Sequence, residues 1–277
     1  MEPATVVVGA GRVGLSLARA LVHSGTAVTV CTRSERTLPP PLSVADTGWT
    51  GALSRATIVV LAVPDDAIPA VAGRLADLGV ITAGQVVLHC SGLLDRQALA
   101  PLVPTGAALG SWHPLQTLTL PEGDPDALVG SPAVIEGDPR AVAAARELAG
   151  RCRMAPIVEL PAEAKPGYHA AAVFASNYLV VLAAVAERLA RDAGLETDAA
   201  LFHPLMARTV ANLASADPAA VLTGPVRRGD AGTVRAHLDA LSGEMRALYL
   251  ALAREAVELA ERSGADVAAV RRVVEEG

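Results

Sequence analysis

Thr5-Val6-Val7-Val8-Gly9-Ala10-Gly11-Arg12-Val13-Gly14 decides the fold. A short β-branched run bounded by glycine reads as a buried strand. The Gly-x-Gly-x-x-Gly that follows opens an apolar-periodic segment, Val13–Ser24, and so reads as strand, tight turn and helix. Each glycine has a physical task. Gly9 permits the turn, Gly11 lets a ligand approach the backbone, and Gly14 lets helix and strand pack closely. The first helical turn, which holds Arg12 and Val13, offers unpaired N–H groups to an anion such as a pyrophosphate. A glycine-rich turn without a ligand would share the letters; the strand signal that follows at Ala27–Cys31 favours the dinucleotide-binding βαβ unit.

Working outward, further strands are expected at Ile58–Val63, Val86–Cys90, Ala107–Ser111, Ala133–Glu136 and Ile157–Leu160. Several lack alternation, as strands covered on both faces do. Helices are expected at Ala67–Leu78 and Pro139–Arg151. Between Arg33 and Thr57, Pro39-Pro40-Pro41 and weak periodicity leave no room for a full crossover helix. After Leu160 strand signals vanish, and helical spacing predicts a long helix from Gly167 to Arg191, then helices at Asp198–Ala214, Thr233–Leu241, Glu244–Arg262 and Ala265–Glu275. The expected architecture is α/β: a Rossmann-type, doubly wound, mainly parallel sheet at 1–160, then an all-α domain at 161–277 for substrate binding and dimerisation.

Composition excludes several classes. The 277 residues are 52% hydrophobic and 19% charged, too apolar for a disordered chain. Aromatics make up 3% and the net charge is −6, which disfavours nucleic acid and anionic membranes as partners. Cys31, Cys90 and Cys152 form no CxxC pair, so neither a disulfide framework nor a zinc ribbon is expected. The run at Val6–Val8 is too short for a signal-peptide core, and a cytoplasmic location is expected. Ala170–Ala186 approaches the composition of a membrane span, but Ser176, Asn177 and Tyr178 interrupt it and it reads as a buried helix. The Ala- and Leu-rich helical faces exceed one core's needs, and a homodimer through the helical domain is expected.

Where an NAD-binding chain places a carboxylate after its second strand, this one has Cys31-Thr32-Arg33-Ser34. Arg33 with the Thr32 and Ser34 hydroxyls suits a 2′-phosphate, which favours NADP(H). Arg33 as a plain surface charge is the alternative. Ligands of open α/β sheets lie beyond the carboxyl ends of the strands. Three runs fall there: Ala62-Val63-Pro64-Asp65 along the cofactor, His89-Cys90-Ser91-Gly92, and Ser111-Trp112-His113-Pro114. Ser91 and Gly92 are candidates for holding a substrate carboxylate or carbonyl, against simple turn chemistry. His113 is a proton donor or a satisfied core group.

The chain has 22 arginines and one lysine, Lys165, at the mouth of the long helix. Arginine cannot release a proton near neutrality, whereas a desolvated lysine can act as a general acid. At helical spacing His169 and Asn177 continue its stripe, so all three can face one cleft; a dimer-register role is the alternative for Asn177. The segment Leu222–Asp230 interrupts the helices. Arg227 or Arg228 is a candidate for a substrate carboxylate, Asp230 for orienting that arginine, and Thr233 for donating its hydroxyl. Solvated loop charge explains them equally well.

Taken together, GAGRVG at 9–14, LAVPDDAI at 61–68, HCSG at 89–92, GSWHPLQTL at 110–118, KPGYHAAAVFASN at 165–177 and TGPVRRGD at 223–230 resemble a bacterial family. Its members are Rossmann-like proteins with a C-terminal helical domain of unknown function (DUF2520), similar to the larger group of ketopantoate reductase, pyrroline-5-carboxylate reductase and hydroxyisobutyrate dehydrogenase. In ketopantoate reductases and hydroxyisobutyrate dehydrogenases the comparable helix carries a Lys and, four residues on, an Asn; Lys165 matches the Lys, and His169 stands in the Asn place. Thr223-Gly224-Pro225 through Thr233 resembles the substrate-binding turn of pyrroline-5-carboxylate reductase. The resemblance implies an NADPH-dependent reductase of a small 2-oxo acid, ketopantoate first, with Lys165 supplying the proton and His169 and Asn177 orienting the carbonyl. Reduction of a cyclic imine and a non-catalytic NADP-binding sensor are the alternatives. A metal site from His89, Cys90, His113 and His169 has no short ligand spacing behind it.

Overall fold

The valine, isoleucine and leucine runs form a single eight-stranded sheet, seen in a computed structural model that describes residues 4–33, 37–45, 49–195 and 199–277. Its strands are β1 (Thr5–Val8), β2 (Val28–Cys31), β3 (Ser43–Val44), β4 (Ile58–Leu61), β5 (Val86–His89), β6 (Ala108–Pro114), β7 (Ala133–Gly137) and β8 (Ile157–Glu159). They lie in the order β3-β2-β1-β4-β5-β6-β7-β8. All neighbours are parallel except β6 and β7, which are antiparallel. The order reverses between β1 and β4, which is where a doubly wound sheet opens its ligand crevice. The Rossmann-type expectation holds.

The helices are α1 (Arg12–His23), α2 (Thr50–Leu53), α3 (Ile68–Asp77), α4 (Pro139–Arg151), α5 (Lys165–Ala175), α6 (Asn177–Asp192), α7 (His203–Leu213), α8 (Pro218–Val221), α9 (Gly224–Arg227), α10 (Ala231–Ala240), α11 (Gly243–Arg262) and α12 (Ala268–Glu276). The poor periodicity after β2 is explained by the two-residue β3 and the four-residue α2. The connection from β5 to β6 is a run of 3-10 turns, Arg96–Thr105, because Pro101 and Pro104 forbid α-helical bonding there.

Side chains along one strand alternate between two cores although nearly all are apolar. Val7, Val30, Val60, Leu88 and Trp112 pack with α1 and α4 on one face. Val6, Val8, Val59, Leu61, Val87 and Leu109 pack with α3, Trp49, Leu99 and Leu102 on the other. Two-sided burial removes the polar alternation that an open sheet would show. In the helical part, Val234, Leu250, Val257, Val270 and Val274 form a third core among α9 to α12.

Contacts divide the chain into two compact units, Met1–Val180 and Val181–Gly277. The division comes later than the end of the strand signals at residue 160, because α5 is packed within the sheet unit. Strand β6 also outlasts its expected end at Ser111. Its pairing with β5 stops at Ser111, but antiparallel pairing with β7 carries it on to Pro114. His113 is thus a strand residue projecting past the end of β5.

The expected single helix from Gly167 to Arg191 is two helices. Ser176 leaves helical geometry (φ −124°, ψ −70°), and its hydroxyl lies 3.0 Å from that of Thr117. That contact holds the side chain at the break, while the Ser176 N–H still donates to the Ala172 carbonyl oxygen at 3.1 Å. The expectation of a buried helix at Ala170–Ala186 is not met within the chain: Val180 is 70% and Phe174 68% exposed, and Leu179, Val181 and Leu182 are exposed too. By length and composition Ala162–Asp192 is apolar enough to cross a membrane. The break at Ser176 divides it.

Gly9 and Gly14 are fixed by close approach. Gly9 has φ +115°, and a Cβ on it would lie 2.2 Å from the Ala62 carbonyl oxygen; one on Gly14 would lie 2.1 Å from that of Gly9. A Cβ on Gly11 meets nothing within 4 Å. Gly14→Ala is therefore expected to lose about 2 kcal/mol or more of stability, and Gly11→Ala about 1 kcal/mol or less. Denaturant unfolding of the two variants checks this, and equal losses would contradict it.

Candidate functional site

The ends of β4, β5 and β6 meet the first turn of α5, and a polar cluster is buried there. Pro64 ends the extended chain after β4 and leads into a 3-10 turn, Asp65–Ala67. The Ser91 hydroxyl, just past β5, donates to Asp65 Oδ2 at 2.6 Å and accepts the amides of Leu93 (3.1 Å) and Leu94 (2.9 Å). It is a turn residue with its hydrogen bonds filled, so the expected substrate contact is not available from its hydroxyl. His89 is filled as well: Nδ1 accepts the Ser91 amide (3.2 Å), and Nε2 faces the Asp95 carbonyl oxygen (2.9 Å). Those bonds fix the tautomer with the proton on Nε2.

Lys165 opens α5 and has no exposed surface. Its Nζ donates to the Ser91 carbonyl oxygen (3.2 Å) and to Ser111 Oγ (2.8 Å). Ser111 in turn donates to Glu136 Oε2 at 3.2 Å, which also accepts the Arg96 amide (3.0 Å). Burial lowers the proton affinity of Lys165, opposed first by the charge of Glu136 and then by Asp95 and Asp65. Burial raises that of Glu136, opposed first by the Lys165 charge. Lys165 thus stands at the mouth of α5 and is fully enclosed, bonded to Ser91 just past β5 and to Ser111 on β6.

Beside the amine lies an imidazole pair. A Cβ on Gly92 would come within 2.7 Å of His169 Nδ1 and 2.9 Å of the His113 ring, so both rings press on the Gly92 backbone. His113 Nδ1 is 2.8 Å from the Tyr168 hydroxyl, and the rings of Tyr168 and His169 stand nearly perpendicular to that of His113. His169 Nδ1 is buried with no hydrogen-bond partner. A buried polar atom without a partner is costly and invites a ligand or water. Asn177 lies beyond the break at Ser176 and is exposed; the structure does not join it to Lys165 and His169.

The glycine motif shapes a second part of the site. Gly11 caps α1 without any side-chain hydrogen bond, and the first turn has no acidic residue. Among the described residues no side chain caps this turn, and the space over Gly11 is clear, which suits an anion. Ala62 and Val63 are half-buried beside this turn, and Arg12 and Arg33 are exposed. The Thr32 carbonyl oxygen accepts the Trp49 indole N–H at 3.0 Å. Ser34 lies outside the described residues. The uncapped first turn, the clear space over Gly11 and the exposed arginine after β2 fit a dinucleotide with a 2′-phosphate.

In the helical unit two expectations are corrected. Asp230 caps α10: Oδ1 accepts the Thr233 amide (3.0 Å) and Oδ2 the Thr233 hydroxyl (2.6 Å). Asp230 therefore orients Thr233 rather than an arginine, and the Thr233 hydroxyl is already donated. Arg227 ends α9, half-buried, and Arg228 is exposed. The segment is folded in place by the buried Val226 and by Gly229, whose Cβ would lie 2.6 Å from the Asp266 carbonyl oxygen.

Glu136 and Tyr168 went unread in the sequence. Glu136 had a signal, since a carboxylate ending the apolar run Ala133-Val134-Ile135 is seldom buried without a task. Tyr168, between Gly167 and His169, had none beyond its neighbours.

Burial lowers His89 and His113 from 6.5 to about 4, so both are neutral in the folded chain. The unfolded chain binds those protons below about pH 6.5, so their contribution to stability falls as pH drops from 6.5 towards 4, by up to about 1.4 kcal/mol per unit for each ring. His113→Gln is expected to show a shallower loss than the unsubstituted chain in denaturant midpoints taken from pH 8 to pH 4. Parallel curves would contradict it.

A family model described as a Rossmann-like domain matches residues 3–114, and one described as a domain of unknown function (DUF2520) matches residues 131–256. No curated protein matches the chain. Among solved structures it resembles BF3122 of Bacteroides fragilis, assigned as an NADP oxidoreductase (21% identity, TM-score 0.73, 93% of this chain and 98% of that one). Protein TM1727 of Thermotoga maritima is 24% identical, with a TM-score of 0.70 over 94% of this chain and 99% of that one. An imine reductase from Myxococcus stipitatus in complex with NADP+ is 18% identical, with a TM-score of 0.60 over 97% and 98%. At these identities the likeness is one of fold. The chain thus carries a Rossmann-like match followed by a DUF2520 match, the two parts that its motifs resemble.

Proposed function

We propose that the protein is an NADP(H)-dependent reductase of a small molecule carrying a C=N or C=O bond. The observation that carries this reading is the enclosure of the only lysine at the strand ends of a Rossmann sheet, with its proton affinity lowered by burial. Gly9, Gly11, Gly14 and the α1 amides would hold the pyrophosphate, Arg33 and Thr32 the 2′-phosphate side, and Ala62, Val63 and Pro64 would border the nicotinamide half. The cofactor, when bound, supplies a hydride. This chain's part is the proton: Lys165 Nζ gives it to the substrate nitrogen or oxygen as hydride reaches the carbon. Because Lys165 has no exposed surface, substrate binding must first move a covering side chain. His169, with its unpartnered Nδ1, and His113 are the groups available to orient the polarised bond. Asn177 is not carried into the proposal.

Two substrate classes stand. Ketopantoate, as a 2-oxo acid, follows from the resemblance and needs a cation for its carboxylate. Within the sheet unit Lys165 faces Glu136 and Asp65, and burial holds His113 neutral, so neither group offers a free cation to a carboxylate. That balance favours an imine, which becomes cationic as it is protonated. Solved relatives named as imine reductases support the same class. A 2-oxo acid would depend on Arg227 or Arg228. A homodimer covering the exposed apolar residues of α6 is part of the proposal; sedimentation is expected to show it, and a persistent dilute monomer would contradict it.

The test is NADPH oxidation across a panel of cyclic imines and 2-oxo acids, ketopantoate included. Turnover is expected with NADPH ahead of NADH, and Lys165→Ala should lower it by about 10²–10⁴-fold with NADPH affinity retained. NADPH binding without turnover on any member would favour a sensor. Full turnover in the variant would remove Lys165 from the chemistry.

A further inference from the structure

A buried ammonium is stable only with a counter-charge and filled hydrogen bonds. Three carboxylates act on Lys165: Glu136, Asp95 and Asp65. Asp65 is engaged by the Ser91 hydroxyl, and Asp95 caps the 3-10 segment by accepting the Gln97 amide at 2.8 Å. Glu136 is different. It is 5% exposed, and the register of β7 sets it directly across from Ser111. The antiparallel register of β7 makes this pairing, and it completes an unbroken chain from Nζ through Ser111 Oγ to Oε2. Three other titratable neighbours do not supply charge: Cys90 is pushed up to about 12, and His89 and His113 are held near 4; the His169 ring also stands beside Gly92.

We infer that Glu136 is a positioning residue: through the Ser111 hydroxyl it holds Lys165 protonated and aligned, and so keeps the amine able to give a proton in the working pH range. This deepens the reductase reading and rests on it for its catalytic consequence. Its electrostatic part can be tested without activity.

Because Lys165 is the only lysine, protein labelled with ¹³Cε-lysine gives one side-chain resonance, and its pH titration reports this amine alone. In Glu136→Gln the midpoint is expected to fall by about one pH unit or more, and in Ser111→Ala by a smaller amount. Glu136→Asp should restore most of the difference. The alkaline limb of the kcat–pH profile should move down with the midpoint in Glu136→Gln, with KM little changed. A Glu136→Gln midpoint at or above that of the unsubstituted chain would overturn the inference, as would an unmoved Ser111→Ala midpoint should the Gln variant fail to fold. Loss of turnover on every substrate in the unsubstituted protein would instead sink the reductase reading and leave the titration to decide the role of Glu136.

Discussion

The hydrogen bonds from Lys165 Nζ to the Ser91 carbonyl oxygen and Ser111 Oγ tie the first turn of α5 to the ends of two sheet strands. An ammonium taken out of water costs several kcal/mol unless its surroundings replace the lost solvation. Each neighbour answers that demand. Ser111 relays to Glu136, Ser91 is pinned by Asp65 and two amides, and His89, kept neutral chiefly by burial, accepts the Ser91 amide. The cluster is a consequence of topology, since strands β5 and β6 run parallel to Ser111 and β7 returns to face it.

The same sheet separates two kinds of work. Close backbone approach at Gly9 and Gly14 locks α1 against β1 and β4, while Gly11 leaves open space and uncapped amides. Anion recognition thus comes from backbone geometry, and proton chemistry from side chains collected at the neighbouring strand ends. Among the described residues His169 Nδ1 is buried and unpartnered, which places a demand for a ligand beside the amine.

The sheet was legible because buried parallel strands are continuous apolar runs; the glycine motif was read from its context, Lys165 from being the single lysine, and His169 from helical spacing to it. It could not show that β6 runs on to Pro114, because that extension depends on pairing with β7 across an 18-residue connection. The break at Ser176 was hidden for a similar reason: the hydroxyl that meets Ser176 there belongs to Thr117, far away in sequence. Asp230 and Thr233 looked like substrate groups because capping and binding use the same side chains, and only geometry tells them apart. Glu136 needed the register of an antiparallel pair, which no single run of residues contains.

The central claim is that the enclosed lysine serves the chemistry of a dinucleotide bound at the glycine motif. A crystal structure of the protein with NADP+ and a substrate analogue tests it most directly. The nicotinamide is expected along Ala62-Val63-Pro64, with Lys165 Nζ within hydrogen-bonding reach of the analogue's heteroatom. A bound dinucleotide whose nicotinamide lies away from the ends of β4 to β6, with Lys165 still enclosed by Ser91 and Ser111, would contradict it.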